Sequence, residues 1–432
     1  LEGLGVALGL SWHVIPDPQV DIRGKCMNGS RWLKLGAALF AFSLLAAGCG
    51  GSSGSGTGDT SAAADKVPVT VYFQGALTGP YNYLVIPSFQ AAQIAIDEFN
   101  NDPSFPATIT LKKGDTQGSG DNAPAVLEEA TSDPTTVAVI GPGFSGESAV
   151  SGDTYNASKI PFITPSATNT ALADNNWEYW YRAVGNDSAQ GGLAGKYIAT
   201  VAKPTNVFIA HDKSEYGQPL AETVKSTVEA AGIKVAGFEG IESGQEDYSS
   251  FISTVKSSGA DFVFFGGYDA DFGKIVKQAR EEGLDIPFMS GDGSLSSTTL
   301  DLAGPGVSNI FLIAPTNISG DFVAKYNDTV GGDASSVPVY AAEGYDVASL
   351  IGNGIKSAID GGATGDDIQG LRDGIKSYLD GLKDNPFQGV AKPYAFDDKH
   401  EIAADDPSTL FYLYQVQDGK LTSLGSAADL LK

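Results

Sequence analysis

The chain has 432 residues, 42% hydrophobic and only 18% charged, enough apolar material for more than one buried core. Asp plus Glu number 52 against 27 Lys plus Arg, and this net charge of −25 excludes a nucleic-acid-binding surface. Two cysteines and three histidines are too few for a Cys-rich zinc site, an iron–sulfur cluster or a disulfide framework, and no cofactor is expected.

Both cysteines, Cys26 and Cys49, lie in the first 50 residues. From Met27 the chain reads as a secretory signal, with Arg31 and Lys34 ahead of an uncharged run, Leu35 to Ala47, too short to span a bilayer comfortably. The run ends in Leu45-Ala46-Ala47-Gly48-Cys49, which resembles a bacterial lipobox. That resemblance implies a leader over 27–48, removed to leave Cys49 as a lipidated N-terminus on the outer side of the cell membrane. Residues 1–26 do not fit a leader and are expected to be a non-native upstream extension. Residues 49–66 are mostly Gly, Ser, Thr, Ala and Asp, the composition of a flexible tether. Its Gly50-Gly51-Ser52-Ser53-Gly54 matches G-x-S-x-G, but no strand precedes it, so it carries no weight as a nucleophile.

From Val67 onward short apolar runs alternate with longer segments of helical period. Strands are predicted at Val69–Gly75, Ile109–Lys113, Val137–Gly141, Pro161–Pro165, Val207–His211, Val235–Gly240, Asp261–Gly266, Pro287–Ser290 and Ile310–Ala314. Helices are predicted at Phe89–Asn100, Ala123–Ser132, Ser188–Ala202, Gln218–Ala231, Tyr248–Ser258, Asp271–Glu282, Ala341–Ile359 and Ile368–Leu379. Continuous apolar strands mean sheets covered on both faces, an α/β fold with doubly wound parallel sheets. The body is too long for one core, so two such lobes joined by a hinge are expected. The crossings are placed near Ala183–Asp187 and Ala314–Thr316. This gives one lobe from 67–186 plus 316–396 and another from 187–315 plus 397–432.

Ligands of open α/β sheets bind beyond the carboxyl ends of the strands. Those positions carry Ser145, Ser166-Ala167-Thr168, Tyr216, Tyr268 and Asp292. Hydroxyls with free amides at a helix start suit an anion, and a carboxylate with tyrosines suits an ammonium. Together they describe a site for a zwitterion, of which an amino acid is the simplest. Taken singly, Ser145 and Ser166 also suit helix caps, the tyrosines suit a core, and Asp292 suits an Asp-Gly turn. The residue types alone leave these readings open. Gly141 to Gly146 matches G-x-G-x-x-G, but no acidic residue closes the next strand to take a ribose, which disfavours a dinucleotide.

Longer segments carry a resemblance. Gln74-Gly75-Ala76-Leu77-Thr78-Gly79-Pro80, Pro161 to Asn169, His211-Asp212-Lys213-Ser214-Glu215-Tyr216-Gly217 and Asp261 to Tyr268 are similar to blocks of branched-chain amino-acid-binding proteins. These are the solute receptors of ABC importers, with the type I periplasmic binding fold. The resemblance implies that Ser145, the Ser166 backbone and the Thr168 hydroxyl, with Ala167 in the same loop, hold a ligand carboxylate. Tyr216 and Tyr268 would close over the ligand. Asp292 stands where the family often has an acidic partner for the ammonium. Leu84 stands where a pocket aromatic is expected. The implied partners are a small amino acid or related ligand, ABC permease subunits and, through the lipid, a membrane; a monomer is expected. Glu147 is unusual beside a carboxylate site. It is expected to be a solvated first-turn residue; facing the pocket, it would repel a carboxylate or favour a basic side chain. The runner-up function is a ligand-sensing receptor of the same fold for amides, aromatic acids or peptides. An enzyme is disfavoured, since no acid–base pair or activated nucleophile stands out.

Overall fold

The structure is a computed structural model that describes residues 66–318, 320–331 and 338–432. The upstream extension, the leader, Cys49 and the tether up to Asp65 lie outside the described residues. Among the described residues no helix is long and apolar enough to cross a membrane.

The chain begins with β1 (Val67–Gly75), whose last seven residues are all buried, as a central parallel strand requires. Helix α1 (Asn82–Asn101) starts seven residues before the predicted Phe89 and accommodates Pro87 in its second turn. Then follow β2 (Ala107–Asp115), α2 (Ala123–Ser132), β3 (Thr136–Ile140), α3 (Ser145–Ala157), β4 (Phe162–Thr164) and β5 (Trp180–Arg182). The five strands form one parallel sheet in the order β2-β1-β3-β4-β5. Strand β2 alternates buried and exposed positions along its first half, as an edge strand does, and β3 is buried throughout. The sequence pattern does not reveal β5, a three-residue strand inside an aromatic run.

Beyond β5 the chain builds a second sheet. Helix α4 (Asp187–Tyr197) continues as a π-helical turn, Ile198–Ala202, and leads to β6 (Asn206–His211). Next come α5 (Gly217–Ala230), β7 (Lys234–Gly240), α6 (Ser249–Ser258), β8 (Phe262–Gly266), α7 (Asp269–Glu281), β9 (Phe288–Ser290), α8 (Ser297–Ala303) and β10 (Ile310–Ala314). Helices α9 (Phe322–Val330), α10 (Ala341–Asp360) and α11 (Ile368–Gly381) follow. Helix α10 packs along α1, where Gly344 meets Ser88 and Gly352 meets the Phe99 ring with no room for a Cβ atom. A short hairpin, β11 (Phe387–Gln388) with β12 (Pro393–Tyr394), precedes β13 (Tyr412–Gln417) and β14 (Lys420–Ser426). The second sheet runs β14-β13-β10-β9-β8-β6-β7. Strand β13 pairs antiparallel with both β10 and β14, so this sheet is mainly parallel with an antiparallel hairpin at one edge, within the expected α/β class. A β-hairpin adds to a sheet edge without a helical crossover, which is why no helix pattern announced these strands.

Buried ion pairs bind the late segments to the early ones. Arg182 at the end of β5 pairs with Glu401, and its Nη1 donates to the carbonyls of Ala167 and Asn169 at 3.1 and 2.7 Å. Lys392 bonds Glu343 at 2.8 Å and the carbonyl of Pro315 at 3.0 Å, while the Thr316 hydroxyl donates to the other Glu343 oxygen at 2.9 Å.

Candidate functional site

The carboxyl ends of the two sheets face each other across one small cavity. Leu84, Gly143, Phe144, Ser145, Ser166, Thr168, Tyr216, Tyr268, Asp292 and Tyr340 line it. It measures about 20 Å³, roughly the room of one water. Larger grooves exist, of about 790 Å³ beside Lys196 and about 650 Å³ beside Ile86 and Leu300. Neither of these brings a buried carboxylate to its wall. Two other grooves do, at Asp346 and Glu401, but there the carboxylates are held by the Val390 and Ala391 amides and by Arg182, and the small cavity is where a buried carboxylate faces a helix start.

The first sheet contributes hydroxyls and a helix start. Phe144 occupies the cap position of α3, so Ser145 is its first helical residue and not its cap. The Ser145 hydroxyl instead accepts from the Asn169 amide at 3.2 Å, which braces the next loop. The Ser166 hydroxyl donates to the Gly143 carbonyl at 2.7 Å. The opening amides of α3 have no intrahelical acceptor and carry the positive end of the helix dipole, a setting that favours an anion. Ala167 is buried but does not line the cavity: its amide donates to the Thr164 hydroxyl at 2.8 Å and its carbonyl accepts from Arg182.

The second sheet contributes charge and rings. Tyr216 precedes α5, Tyr268 precedes α7, and Asp292 opens the short turn after β9. The Tyr216 hydroxyl donates to Asp292 Oδ1 at 3.0 Å, and the Tyr340 hydroxyl donates to Oδ2. Burial pushes the Asp292 carboxyl up, against hydrogen bonds from Tyr340, Gln190 and Tyr216 that favour its charge. Tyr268 packs on Tyr81, Tyr216 and Phe144 with ring centroids 5.1, 5.3 and 5.6 Å apart, an aromatic lining that joins the two sheets. Tyr83 adds a bond of 3.2 Å to the Gly293 carbonyl. The cavity thus has hydroxyls and a helix start on one wall and a hydroxyl-bonded carboxylate on the other, with no basic side chain between them.

Two residues belong in this account beyond those singled out from sequence, and one that was singled out stands differently. Tyr340 takes a left-handed backbone, φ 62°, just ahead of α10, which aims its ring at Asp292. Asp187, first residue of α4, is buried and neither of its oxygens has a hydrogen-bond partner among the described residues. Burial, then the Asp292 charge, holds it well above the usual carboxylate range. Glu147 corrects an expectation: it is fully buried, not solvated, and does not line the cavity. Its Oε1 accepts from the Thr116 hydroxyl, and burial raises its carboxyl to about 7. A helical first-turn acid reads as a surface residue; only tertiary packing, with Thr116 just past β2 bonded to it, encloses it. Among the described residues no cluster of His, Cys, Asp and Glu is arranged to hold a metal ion.

Comparison with known proteins decides the family. The pattern of the family described as periplasmic binding protein matches residues 68–420. The chain belongs to the periplasmic binding protein family. It is 32% identical over 273 residues to the leucine-, isoleucine-, valine-, threonine- and alanine-binding protein of Pseudomonas aeruginosa, covering 61% of this chain and 68% of that relative. The crystal structure of a branched-chain amino acid transporter substrate binding protein from Streptococcus pneumoniae, in complex with isoleucine, is similar with a TM-score of 0.71 and 22% identity, over 83% of this chain and 99% of that one. A solute binding protein of R. palustris in complex with benzoate gives a TM-score of 0.71 at 17% identity, over 84% of this chain and 96% of that one. This periplasmic binding protein has the type I fold: α/β, with two mainly parallel sheets whose strand ends face one cleft. The family is one of binding proteins rather than enzymes.

Proposed function

We propose that this protein is the extracytoplasmic, lipid-anchored substrate-binding component of an ABC importer and that it binds an amino acid, branched-chain or related, between two closing lobes. One observation carries the reading: a hydroxyl-bonded buried carboxylate, Asp292, opposes a hydroxyl-lined helix start at Ser145 across a single cavity. An ammonium and a carboxylate on one small molecule satisfy both walls. Relatives whose names specify leucine, isoleucine and valine support the choice of ligand class. An aromatic acid would leave Asp292 buried without a cation, which disfavours that ligand among those of the sensing alternative.

In this reading Ser145, Ser166 and Thr168 hold the carboxylate, Asp292 holds the ammonium, and Leu84, Phe144, Tyr216 and Tyr268 surround the side chain. The rigid halves are 67–186 with 316–396 and 187–315 with 397–432. They part to admit a ligand larger than the cavity and close on it by a hinge motion. Closure is stabilised by the ligand's greater affinity for the closed form, and the permease reads that form. Cys49 tethers a monomer to the membrane through its lipid. Titration calorimetry of the purified chain with leucine, isoleucine, valine, alanine and threonine tests the ligand class. Saturable 1:1 binding of at least one supports it; Asp292→Asn then weakens that ligand by about tenfold or more, as loss of a charged hydrogen-bond partner does. An unchanged affinity in Asp292→Asn removes Asp292 from the ammonium site.

A further inference from the structure

Glu147 has no place in the binding scheme just described, yet it lies directly behind it. It is the third residue of α3, two positions after Ser145, and none of it reaches solvent. Thr116 at the β2 end donates to one carboxyl oxygen. The other oxygen is buried with no hydrogen-bond partner among the described residues. The amides of Phe144 and Gly143, two residues that line the cavity, lie close enough to favour its charge but outside hydrogen-bond geometry. The titratable groups facing it are Asp115 from the β2 end, Tyr155 on its own helix and Tyr268 across the cleft. No cation is among them.

We infer that Glu147 couples ligand binding to proton uptake, so that the site takes a carboxylate ligand together with one proton. The inference rests on the reading that a ligand carboxylate docks at the Ser145 turn. The argument is electrostatic. A carboxylate at that turn and an ionised Glu147 draw on the same helix start and the same amides. Two anions so close in a low-dielectric interior cannot both stay charged without cost, so docking one favours protonation of the other. The proton comes from solvent and forms an O–H on the Glu147 carboxyl; nothing is oxidised or reduced. Burial already holds that carboxyl at about 7 in the free protein, so a small further rise moves it across neutral pH. Glu147 is thus a positioning residue that sets the charge behind the anion site and never touches the ligand. Linkage fixes the sign: the bound state holds more protons, so affinity falls as pH rises through about 7. Asp187 and Asp292 oppose this, because an ammonium favours their charged forms and expels protons; substitution at Glu147 separates the two effects.

The experiment is titration calorimetry of the full chain with L-leucine, L-valine and L-alanine at pH 7.5, in buffers of different ionisation enthalpy, which counts the protons exchanged. Wild type is expected to take up more protons than Glu147→Gln, about half a proton for each complex formed if binding raises the carboxyl by about one unit from its value of about 7. Between pH 6 and 9 its affinity should fall relative to Glu147→Gln by about tenfold for each unit that binding raises the carboxyl pKa. Equal proton counts in the two proteins overturn the inference while leaving the amino-acid reading intact. Failure of all three amino acids to bind wild type removes the reading and the inference with it. Should Glu147→Gln not fold, the titration of the ¹³C-labelled Glu147 carboxyl in wild type decides: a rise of about a unit on ligand saturation supports the coupling, and no rise overturns it.

Discussion

In the proposed reading Asp292 is the buried carboxylate that meets the ligand's ammonium. Its two oxygens accept from Tyr216 and Tyr340, hydroxyls that favour charge while burial opposes it. Tyr340→Phe removes one donor and leaves the ring, so it should weaken amino-acid binding by roughly tenfold, within the range for a hydrogen bond to a charged group. Calorimetric titration checks this; an unchanged affinity would make Tyr340 a mere wall. The residues of this site were unevenly legible. Ser145, Ser166, Thr168, Tyr216, Tyr268 and Asp292 follow strand ends, where parallel sheets bind ligands, and all of them line the cavity. Leu84 lines it too. Tyr340 follows no predicted strand and works through a single left-handed residue, for which an aromatic side chain gives no signal. Asp187 and Glu147 look like acids placed to suit a helix dipole, and nothing local in the sequence says they are enclosed.

Between elements, contacts of long sequence separation carry the load. Arg182 holds the 167–169 loop by two carbonyls and is itself neutralised by Glu401, more than 200 residues later. Arg182→Ala leaves Glu401 without its cation and should destabilise the fold by about 3–5 kcal/mol, read by chemical denaturation. Helix α10 meets α1 through Gly344, where an added methyl runs into Ser88. Gly344→Ala should cost about 1–3 kcal/mol despite its better helix propensity, measured in the same way. Helix α2 was legible because its burial is periodic and spans Ala123–Ser132 as predicted; β10 was legible as a continuous apolar run and spans Ile310–Ala314. The C-terminal hairpin was not. Strand β14 has a weakly apolar sequence with one exposed edge, and its pairing with β13 is fixed by the sheet it joins.

Across the whole molecule the acidic balance acquires a pH signature. Burial raises the carboxyls of Glu147 and Asp346 to about 7 and those of Asp212 and Asp269 to about 6. Each is protonated in the folded state at a pH where the unfolded chain has already ionised. Their contribution to stability is therefore full below the unfolded value near 4 and is lost as pH rises through 6 to 7. Asp102 and Asp406, held down by hydrogen bonds from the Ser104 and Ser408 hydroxyls, act in the opposite sense and only in stronger acid. The ligand-free protein should accordingly melt highest near pH 5 and lose several degrees by pH 8. Glu147→Gln should flatten part of that slope, which scanning calorimetry across the range checks. The central claim is that two facing walls select a zwitterion, and calorimetric titration of the full chain with the five aliphatic and hydroxylated amino acids and with benzoate tests it most directly. The account predicts 1:1 binding of at least one amino acid, with a Kd near micromolar, and none of benzoate. Binding of benzoate with no amino acid bound at 1 mM would contradict it.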